Sequence, residues 1–197
     1  MSGVIKGLFF AVLWALVSVA VAETESEEPV VVAHATMRGQ DVPVYRIGEV
    51  QADDTPAGMD GFAIRVAYVL RAWTEKNKVE AVANFCRSAD GKRWGAVLLT
   101  IYSHKSSPHT NACPENMAAV GVDEHSHPQH QTYKPNAVDR LFLVNPYVDR
   151  VVTLPDTFSP ADYEHAGYMV GARALHYQDG PAHERVVWRM SQPEPTL

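Results

Sequence analysis

The stretch that decides the fold is MAAVGVDEHSHP, residues 117–128. Its first six residues are small or apolar and suit a central strand of a sheet. The strand runs directly into His125-Ser126-His127, and side chains along a strand alternate between its two faces. The two imidazoles therefore point to the same side, where both can bind one cation.

A second motif, FSPAD at residues 158–162, can complete such a site. Ser159 followed by a proline and, three positions on, by Asp162 is typical of a helix N-terminus. A catalytic zinc ion needs a third protein ligand and an open position for water. Asp162 is a candidate for that third ligand.

The N-terminus has the pattern of a secretory signal peptide. Lys6 precedes a short apolar run at residues 7–19, and Ala20-Val21-Ala22 is a cleavage signal of the A-x-A kind before an acidic segment. The apolar run is shorter than a full membrane span, which disfavours an uncleaved anchor. We therefore predict an exported protein, periplasmic or secreted.

The chain has 197 residues, and the part after the leader has the size of a single domain. The formal net charge is −6 without basic clusters, which argues against nucleic acid and anionic membranes as partners. No membrane span is predicted after the leader. We divide the chain into a signal peptide at 1–22, an acidic segment with short strands at 23–58, and a domain at 59–197 with an insertion at 129–157.

Cys86 and Cys113 are the only cysteines in the sequence. In an oxidising compartment such a pair often forms a disulfide. Neither cysteine lies in a CxxC or another recognisable catalytic motif, so thiol catalysis has little support. We predict a disulfide that joins the strand of Cys86 to the loop before the histidine strand, with two free thiols as the alternative.

The remaining pattern predicts an α+β fold or a three-layer α/β/α sandwich. Helices are expected at residues 60–77 and from Ser159 to about residue 171, and strands at 30–33, 42–47, 79–87, 94–102, 117–127, 174–177 and 185–190. Two apolar runs of the insertion, 141–144 and 151–154, are expected to form a hairpin. A doubly wound parallel sheet is disfavoured, because a hairpin opens the sheet and no glycine-rich phosphate loop follows a strand.

These motifs together resemble the JAB/MPN (JAMM) metallopeptidase domain, and most closely the JAB-like domains of unknown function in exported bacterial proteins and toxin C-termini. That family has a glutamate on an early strand, then His-x-His-Pro ending a central strand, and Ser-x-x-Asp at a helix start. The matching residues here are Glu80, His125, His127, Ser159 and Asp162. The resemblance extends over residues 59–190 and implies a three-layer, cytidine-deaminase-like sandwich with a mixed central sheet.

The resemblance implies Zn²⁺ bound by His125, His127 and Asp162. It gives Glu80 the role of general base and Ser159 that of hydrogen-bond donor to the oxyanion. Neutral imidazoles and a carboxylate also suit zinc on general grounds, and three protein ligands leave room for a water. The implied reaction is hydrolysis of an amide or isopeptide bond in a peptide or protein substrate.

The sequence departs from the family pattern in two places. The interval from His127 to Ser159 is much longer than usual, and Ala83 stands where a glycine is common after the glutamate. The long interval also leaves Asp139, which follows Asn136 by three residues, as an alternative third ligand.

His130 is a further candidate ligand, although its proline-rich context favours a surface loop. The other histidines are expected to be surface or packing residues: His34, His104, His109, His165, His176 and His183. The leading hypothesis is an exported zinc-dependent amidase or isopeptidase acting on cell-wall peptides or exported polypeptides. The alternatives are a catalytically inactive JAB-like domain for binding or assembly, and a secreted toxin or effector hydrolase with a protective partner.

Overall fold

The computed structural model describes residues 29–108, 110–129 and 132–191. The predicted signal peptide, most of the acidic segment that follows it, His109 and His130 lie outside the described residues. Within those described ranges, no helix is both long and apolar enough to cross a membrane.

A mixed sheet of eight strands forms the centre of the fold. Its strands are β1 (Val30–Met37), β2 (Gln40–Asp53), β3 (Val82–Ser88), β4 (Arg93–Thr100), β5 (Met117–Ser126), β8 (Gly167–Val170), β9 (Ala174–Gln178) and β10 (Glu184–Arg189). They lie in the order β1-β2-β4-β3-β5-β8-β9-β10, and all neighbours are antiparallel except β5 and β8. β6 (Thr132–Tyr133) and β7 (Val151–Val152) form a separate ribbon. The α+β class with a mixed sheet is confirmed.

One long helix, α1 (Gly58–Asn77), covers one face of the sheet. Its apolar stripe packs on the alternate residues of β3 and β4 that point to this face, with the rings of Phe62 and Phe85 centred 5.0 Å apart. Lys78 ends the helix in a left-handed conformation, φ 63°, and its backbone N–H donates to the carbonyl group of Thr74. The chain turns back toward the sheet within three residues of this point.

The long helix predicted from Ser159 is wrong. The structure has a 3-10 helix at Pro160–Glu164, after which the chain becomes strand β8. All four residues of β8 are buried, and a Cβ atom on Gly167 would lie 3.0 Å from Oδ1 of Asp123. A short, buried, apolar run suits a central parallel strand, and Gly167 allows the close approach of Asp123. The pairing of β8 with β5 therefore overrides the helix-start signal at Ser159.

The hairpin predicted between the two apolar runs of the insertion is also wrong. Residues Asp139–Phe142 form the short helix α2, while Val151–Val152 pair with Thr132–Tyr133. Leu141 packs with its neighbours on the sheet face opposite α1, against an apolar cluster of Val42, Val44, Val82, Val97, Leu99 and Ile101. The first apolar run therefore covers the sheet instead of extending it.

The disulfide between Cys86 and Cys113 is confirmed, with Cα atoms 5.8 Å apart. It joins β3 to the loop that leads into β5, as the sequence predicts. Ala112, next to Cys113, packs against the same apolar cluster as Leu141 and Phe142 of α2.

Candidate metal centre

The end of β5 brings two imidazoles to one side of the sheet. The Nε2 atoms of His125 and His127 lie 3.2 Å apart. Between them, Ser126 points to the α1 face, where its Oγ atom lies 2.5 Å from Oγ1 of Thr74. The backbone N–H of His127 donates to the carbonyl group of Val170 at 3.0 Å, which extends the alignment with β8 beyond the last strand residue. The alternation expected of a strand thus places both rings together.

Asp162 reaches this pair from the 3-10 helix. Its Oδ1 atom lies 3.6 Å from Nε2 of His125, while its Oδ2 atom accepts a hydrogen bond of 2.6 Å from the backbone N–H of Ser159. One oxygen therefore fixes the start of the helix and the other faces the histidines. His125, His127 and Asp162 form a group that could bind a metal ion, with ligand atoms all within 4.8 Å of one another.

Two of the three separations between these atoms fit a tetrahedral ion. Ligand atoms about 2.0–2.1 Å from a tetrahedral zinc ion lie about 3.3 Å from one another. The two separations measured from His125 Nε2 are 3.2 Å and 3.6 Å. Two imidazole nitrogens and one carboxylate oxygen are also a ligand set that zinc accepts readily.

The protonation state of His127 also suits a ligand. Burial and the neighbouring His125 ring lower the pKa of His127 to about 3. The imidazole is therefore neutral at pH 7, which is the form that binds metals. The His127 ring also meets the Leu154 backbone, and this polar contact opposes the fall in the pKa of His127 without outweighing burial.

Glu80 lies in the same cavity, in the turn between α1 and β3, just before the strand on which it was expected. Its side chain is buried and its backbone is held on both sides. The N–H group donates to the carbonyl of Ser103 at 2.8 Å, and the carbonyl accepts from Oγ1 of Thr100 at 2.7 Å. Burial, followed by repulsion from Asp162 and Asp139, raises the pKa of Glu80 well above its ordinary value. A carboxylate whose pKa is raised is a stronger base than an ordinary carboxylate and can exchange a proton with water or a leaving group.

Asp139, the alternative ligand, occupies a different place in the fold. It is fully buried at the start of α2 and accepts hydrogen bonds from the Ser103 hydroxyl and from the backbone N–H groups of His104 and Asn136. Its Oδ2 atom also lies 2.6 Å from Nδ1 of His104. The Asp139 carboxylate thus orders the loop 103–105. The group of candidate metal ligands contains Asp162 and not Asp139.

A cavity of about 400 Å³ lies in front of the three candidate ligands. Residues 105–107 form a polar part of its wall, and Val152, Leu154 and Phe158 form an apolar part. Ser159, which is exposed, lines the cavity beside Asp162. The candidate ligands, Glu80 and Ser159 therefore all face one space that is large enough for a small part of a peptide.

Sequence reasoning missed the residues that support Asp162 from behind. Gln178 on β9 is 1% exposed, and its side-chain amide donates to the carbonyl groups of Asp162 and His165 at 2.5 and 2.7 Å. Nε2 of His165 lies 3.0 Å from Oδ2 of Asp123, a residue on the same face of β5 as His125. A glutamine at the end of a predicted strand carries no signal of this role until the pairing of β8 with β9 is known.

Comparisons of the chain with protein-family models, curated proteins and solved structures give no match. The function is therefore argued from the residues of the site and their geometry.

Proposed function

We propose that this protein is an exported zinc-dependent hydrolase of amide or isopeptide bonds, built on a JAB/MPN-like, cytidine-deaminase-like α/β/α sandwich. The observation that carries the proposal is the convergence of His125, His127 and Asp162 at a cavity that also contains Glu80. The order of α1, the β3–β4 hairpin and the histidine strand β5 supports the fold assignment.

A zinc ion held by these ligands would polarise a carbonyl group and lower the pKa of water to about 7. Glu80 takes a proton from the attacking water and returns it to the nitrogen of the leaving amine. The water oxygen bonds to the carbonyl carbon and the C–N bond breaks, so that the products are a carboxylic acid and an amine. Ser159 donates a hydrogen bond to the carbonyl oxygen as its charge develops, a contact typically worth ~2.7–4 kcal/mol.

The substrate that we propose is a cell-wall peptide or an exported polypeptide. The signal-peptide pattern supports export, and the Cys86–Cys113 disulfide suits an oxidising compartment. The cavity is open on one side of the sheet and has both polar and apolar walls, as a site for a peptide segment requires.

A catalytically inactive JAB-like binding domain is the second candidate. The long interval between His127 and Ser159 favours it, because it departs from the spacing of the metallopeptidase motif. Zinc binding without turnover on any amide substrate would support this reading.

The zinc content of the mature chain, residues 23–197, tests the proposed site. We expect about one zinc ion per chain, lost on His127→Ala and on Asp162→Ala because two remaining ligands hold the ion poorly. His176→Ala is the matched control, since His176 is a half-buried histidine outside the ligand group. A chain that binds no zinc when it is supplied at neutral pH would overturn the proposal.

Glu80→Gln separates the enzyme from the binding domain. This variant keeps the shape of the side chain and removes its proton exchange, so zinc binding is retained and turnover falls by about 10²–10⁴-fold. The measurement is the rate of amine release from a peptide substrate at matched zinc content. An unchanged rate would exclude Glu80 as the base.

A further inference from the structure

Lys105 is the cationic side chain among the described residues that line the metal cavity. The other ionisable groups there are the two acids Glu80 and Asp162 and the two histidines. Within the described ranges, Lys105 has no carboxylate within 4.0 Å of its ammonium group. Its charge acts on the Glu80 carboxyl group and opposes the rise in the pKa of that group, but no ion pair joins the two, so an anion that enters the cavity can contact the ammonium group.

The backbone that carries Lys105 is fixed by buried hydrogen bonds. The hydroxyl of Ser103 and the N–H group of His104 both donate to Oδ1 of Asp139, at 2.9 and 2.7 Å. The N–H group of Lys105 in turn donates to the Ser103 hydroxyl at 3.1 Å. Because Asp139 is fully buried, this network orders the loop without help from solvent. A binding group presented from such a support is positioned more accurately than one on a free loop.

The charges in the cavity favour an anionic ligand. With a divalent ion bound, the charges of Asp162 and a deprotonated Glu80 are balanced, and the Lys105 ammonium remains as a net positive charge. The whole chain carries a formal net charge of −6, so this positive charge is a local property of the cavity. Lys105 is an exposed residue of the cavity wall, so its ammonium group can meet a ligand that enters the cavity from solvent.

We propose that Lys105 binds a carboxylate of the substrate, so that the enzyme prefers amides with a free carboxylate near the bond that is cut. This inference rests on the proposed hydrolase function. Ser106 and Ser107 line the cavity next to Lys105 and supply hydroxyl donors to the same carboxylate. The chemistry is shared by a C-terminal carboxylate and an acidic side chain, and the experiment distinguishes the two.

The test compares two pairs of peptides that have the same scissile amide. One pair differs in a free or an amidated C-terminus, and the other has Glu or Gln after the scissile bond. For the zinc-loaded wild type we expect kcat/KM to be about 10- to 100-fold higher for the anionic member of at least one pair, as for one hydrogen bond to a charged group. The pair that shows the preference identifies the source of the carboxylate.

Lys105→Gln is expected to remove this preference, so that kcat/KM falls about 10- to 100-fold more for the anionic peptides than for the neutral ones. Lys105→Arg, which keeps the charge, should retain part of it. Lys92→Gln is the matched control, because Lys92 is an exposed lysine in the β3–β4 turn, remote from the cavity. Equal rates for both members of both pairs, or an equal effect of Lys105→Gln on anionic and neutral peptides, would overturn the proposal.

Two further measurements distinguish a failure of the Lys105 proposal from a failure of the proposed hydrolase function. Zinc content and turnover of the neutral peptides by the wild type, in which Lys105 is unaltered, report on the proposed function. Binding of the anionic peptides to the wild type and to Lys105→Gln, measured by isothermal titration calorimetry, reports on Lys105 even without turnover. Binding about 10-fold weaker in the variant would support the carboxylate site, and equal binding would exclude it.

Discussion

Asp162 combines a structural and a chemical role in one side chain. Oδ2 accepts a hydrogen bond from the N–H group of Ser159, while Oδ1 faces Nε2 of His125. A carboxylate held in this way has already lost much of its rotational freedom, so less entropy remains to be lost when it binds an ion. An acid that the sequence places in the first turn of a helix is therefore already ordered for the proposed role of metal ligand.

Glu124 lies next to His125 but points to the other face of β5, into the core beneath α1. The side chain is fully buried, and neither carboxyl oxygen has a hydrogen-bond partner among the described residues. Burial, with a smaller contribution from Asp123, raises the pKa of Glu124 well above its ordinary value. An unpaired carboxyl group in an apolar core costs free energy whether or not it is charged.

Glu124→Met is therefore expected to stabilise the protein. Methionine fills a similar volume without an unpaired polar atom, and the free energy of unfolding at pH 7 should rise by about 1–3 kcal/mol. Glu124→Gln is the control, because it keeps the shape but leaves a buried amide, and it should gain less. Urea denaturation measures both, and a loss of stability in the methionine variant would show that the carboxyl group has a partner.

The strand β9 holds the candidate metal ligand Asp162 in place through Gln178. Its buried amide donates to the carbonyl groups of Asp162 and His165, on either side of the end of the 3-10 helix. Gln178→Ala should weaken zinc affinity by about 10- to 100-fold, as is usual when a group that orients a ligand is lost. Competition with a chelator measures the affinity.

Gln51→Ala is the matched control for this experiment. Gln51 is an exposed glutamine on β2 whose side chain contacts Glu49, remote from Asp162 in the sheet order. Zinc affinity should not change in the control. If Gln178→Ala lowers stability but leaves zinc affinity unchanged, the glutamine is part of the core and does not orient Asp162.

Asp60, in the first turn of α1, joins the helix to β8 and β10. It accepts a hydrogen bond of 2.7 Å from the Tyr168 hydroxyl and two from the Arg185 guanidinium group, at 2.9 and 2.8 Å. Partial burial opposes the charge of Asp60, but the hydrogen bonds from Arg185 and Tyr168 outweigh it and lower the pKa of the carboxyl group. The charged form is therefore stabilised by folding.

Asp60→Asn should lower the free energy of unfolding by about 1 kcal/mol at pH 7. The value is small because Asp60 and Arg185, the two charged groups of the pair, are both partly exposed and screened by solvent. A lowered pKa contributes stability above the unfolded value of about 3.9, and this contribution is lost as the pH falls through the folded value. The difference between wild type and variant should thus shrink below about pH 4. Chemical denaturation between pH 3 and pH 8 measures it, and a difference independent of pH would show that the charge of Asp60 is not involved.

The elements that the sequence predicts well are those whose signal is local. The 3.6-residue period of α1, the turn at Asp90-Gly91 and the run into His125 each lie within one stretch of chain. β8 has only four residues, and its parallel pairing with β5 depends on chain far away in sequence. A local helix start at Ser159 therefore predicts a long helix where tertiary pairing makes a strand.

At the scale of the whole molecule, stability and chemistry occupy different parts of the sheet. The larger apolar cluster lies between α1 and one face, whereas the candidate ligands stand at one end of the opposite face. The ligands come from segments separated by more than thirty residues, and no local pattern gives the distance between them. Only the resemblance to a known metal motif connects Asp162 with the histidines before the fold is known, and it assigns no role to Lys105 or Gln178.

The disulfide tests this separation. Replacing both cysteines, Cys86→Ala with Cys113→Ala, should lower the free energy of unfolding by about 3–4 kcal/mol, because the bond closes a loop with a sequence separation of 27 residues. Zinc affinity should remain the same. Cys86 lies opposite Ala119, whereas His125 lies opposite Val82 at the other end of the same strand pair, about 20 Å away along β5.

Urea denaturation and chelator competition on the same double variant measure the two quantities, with oxidised wild type as the reference. The competition belongs at low urea, where the weakened variant is still folded. A fall in both quantities there would contradict the separation, because it would mean that β3 and β5 transmit strain from the disulfide to the histidines. A fall in stability alone would mean that the candidate metal centre depends on the local contacts that support Asp162 and the end of β5. Substitutions that alter zinc binding without unfolding the protein should then be sought among those contacts.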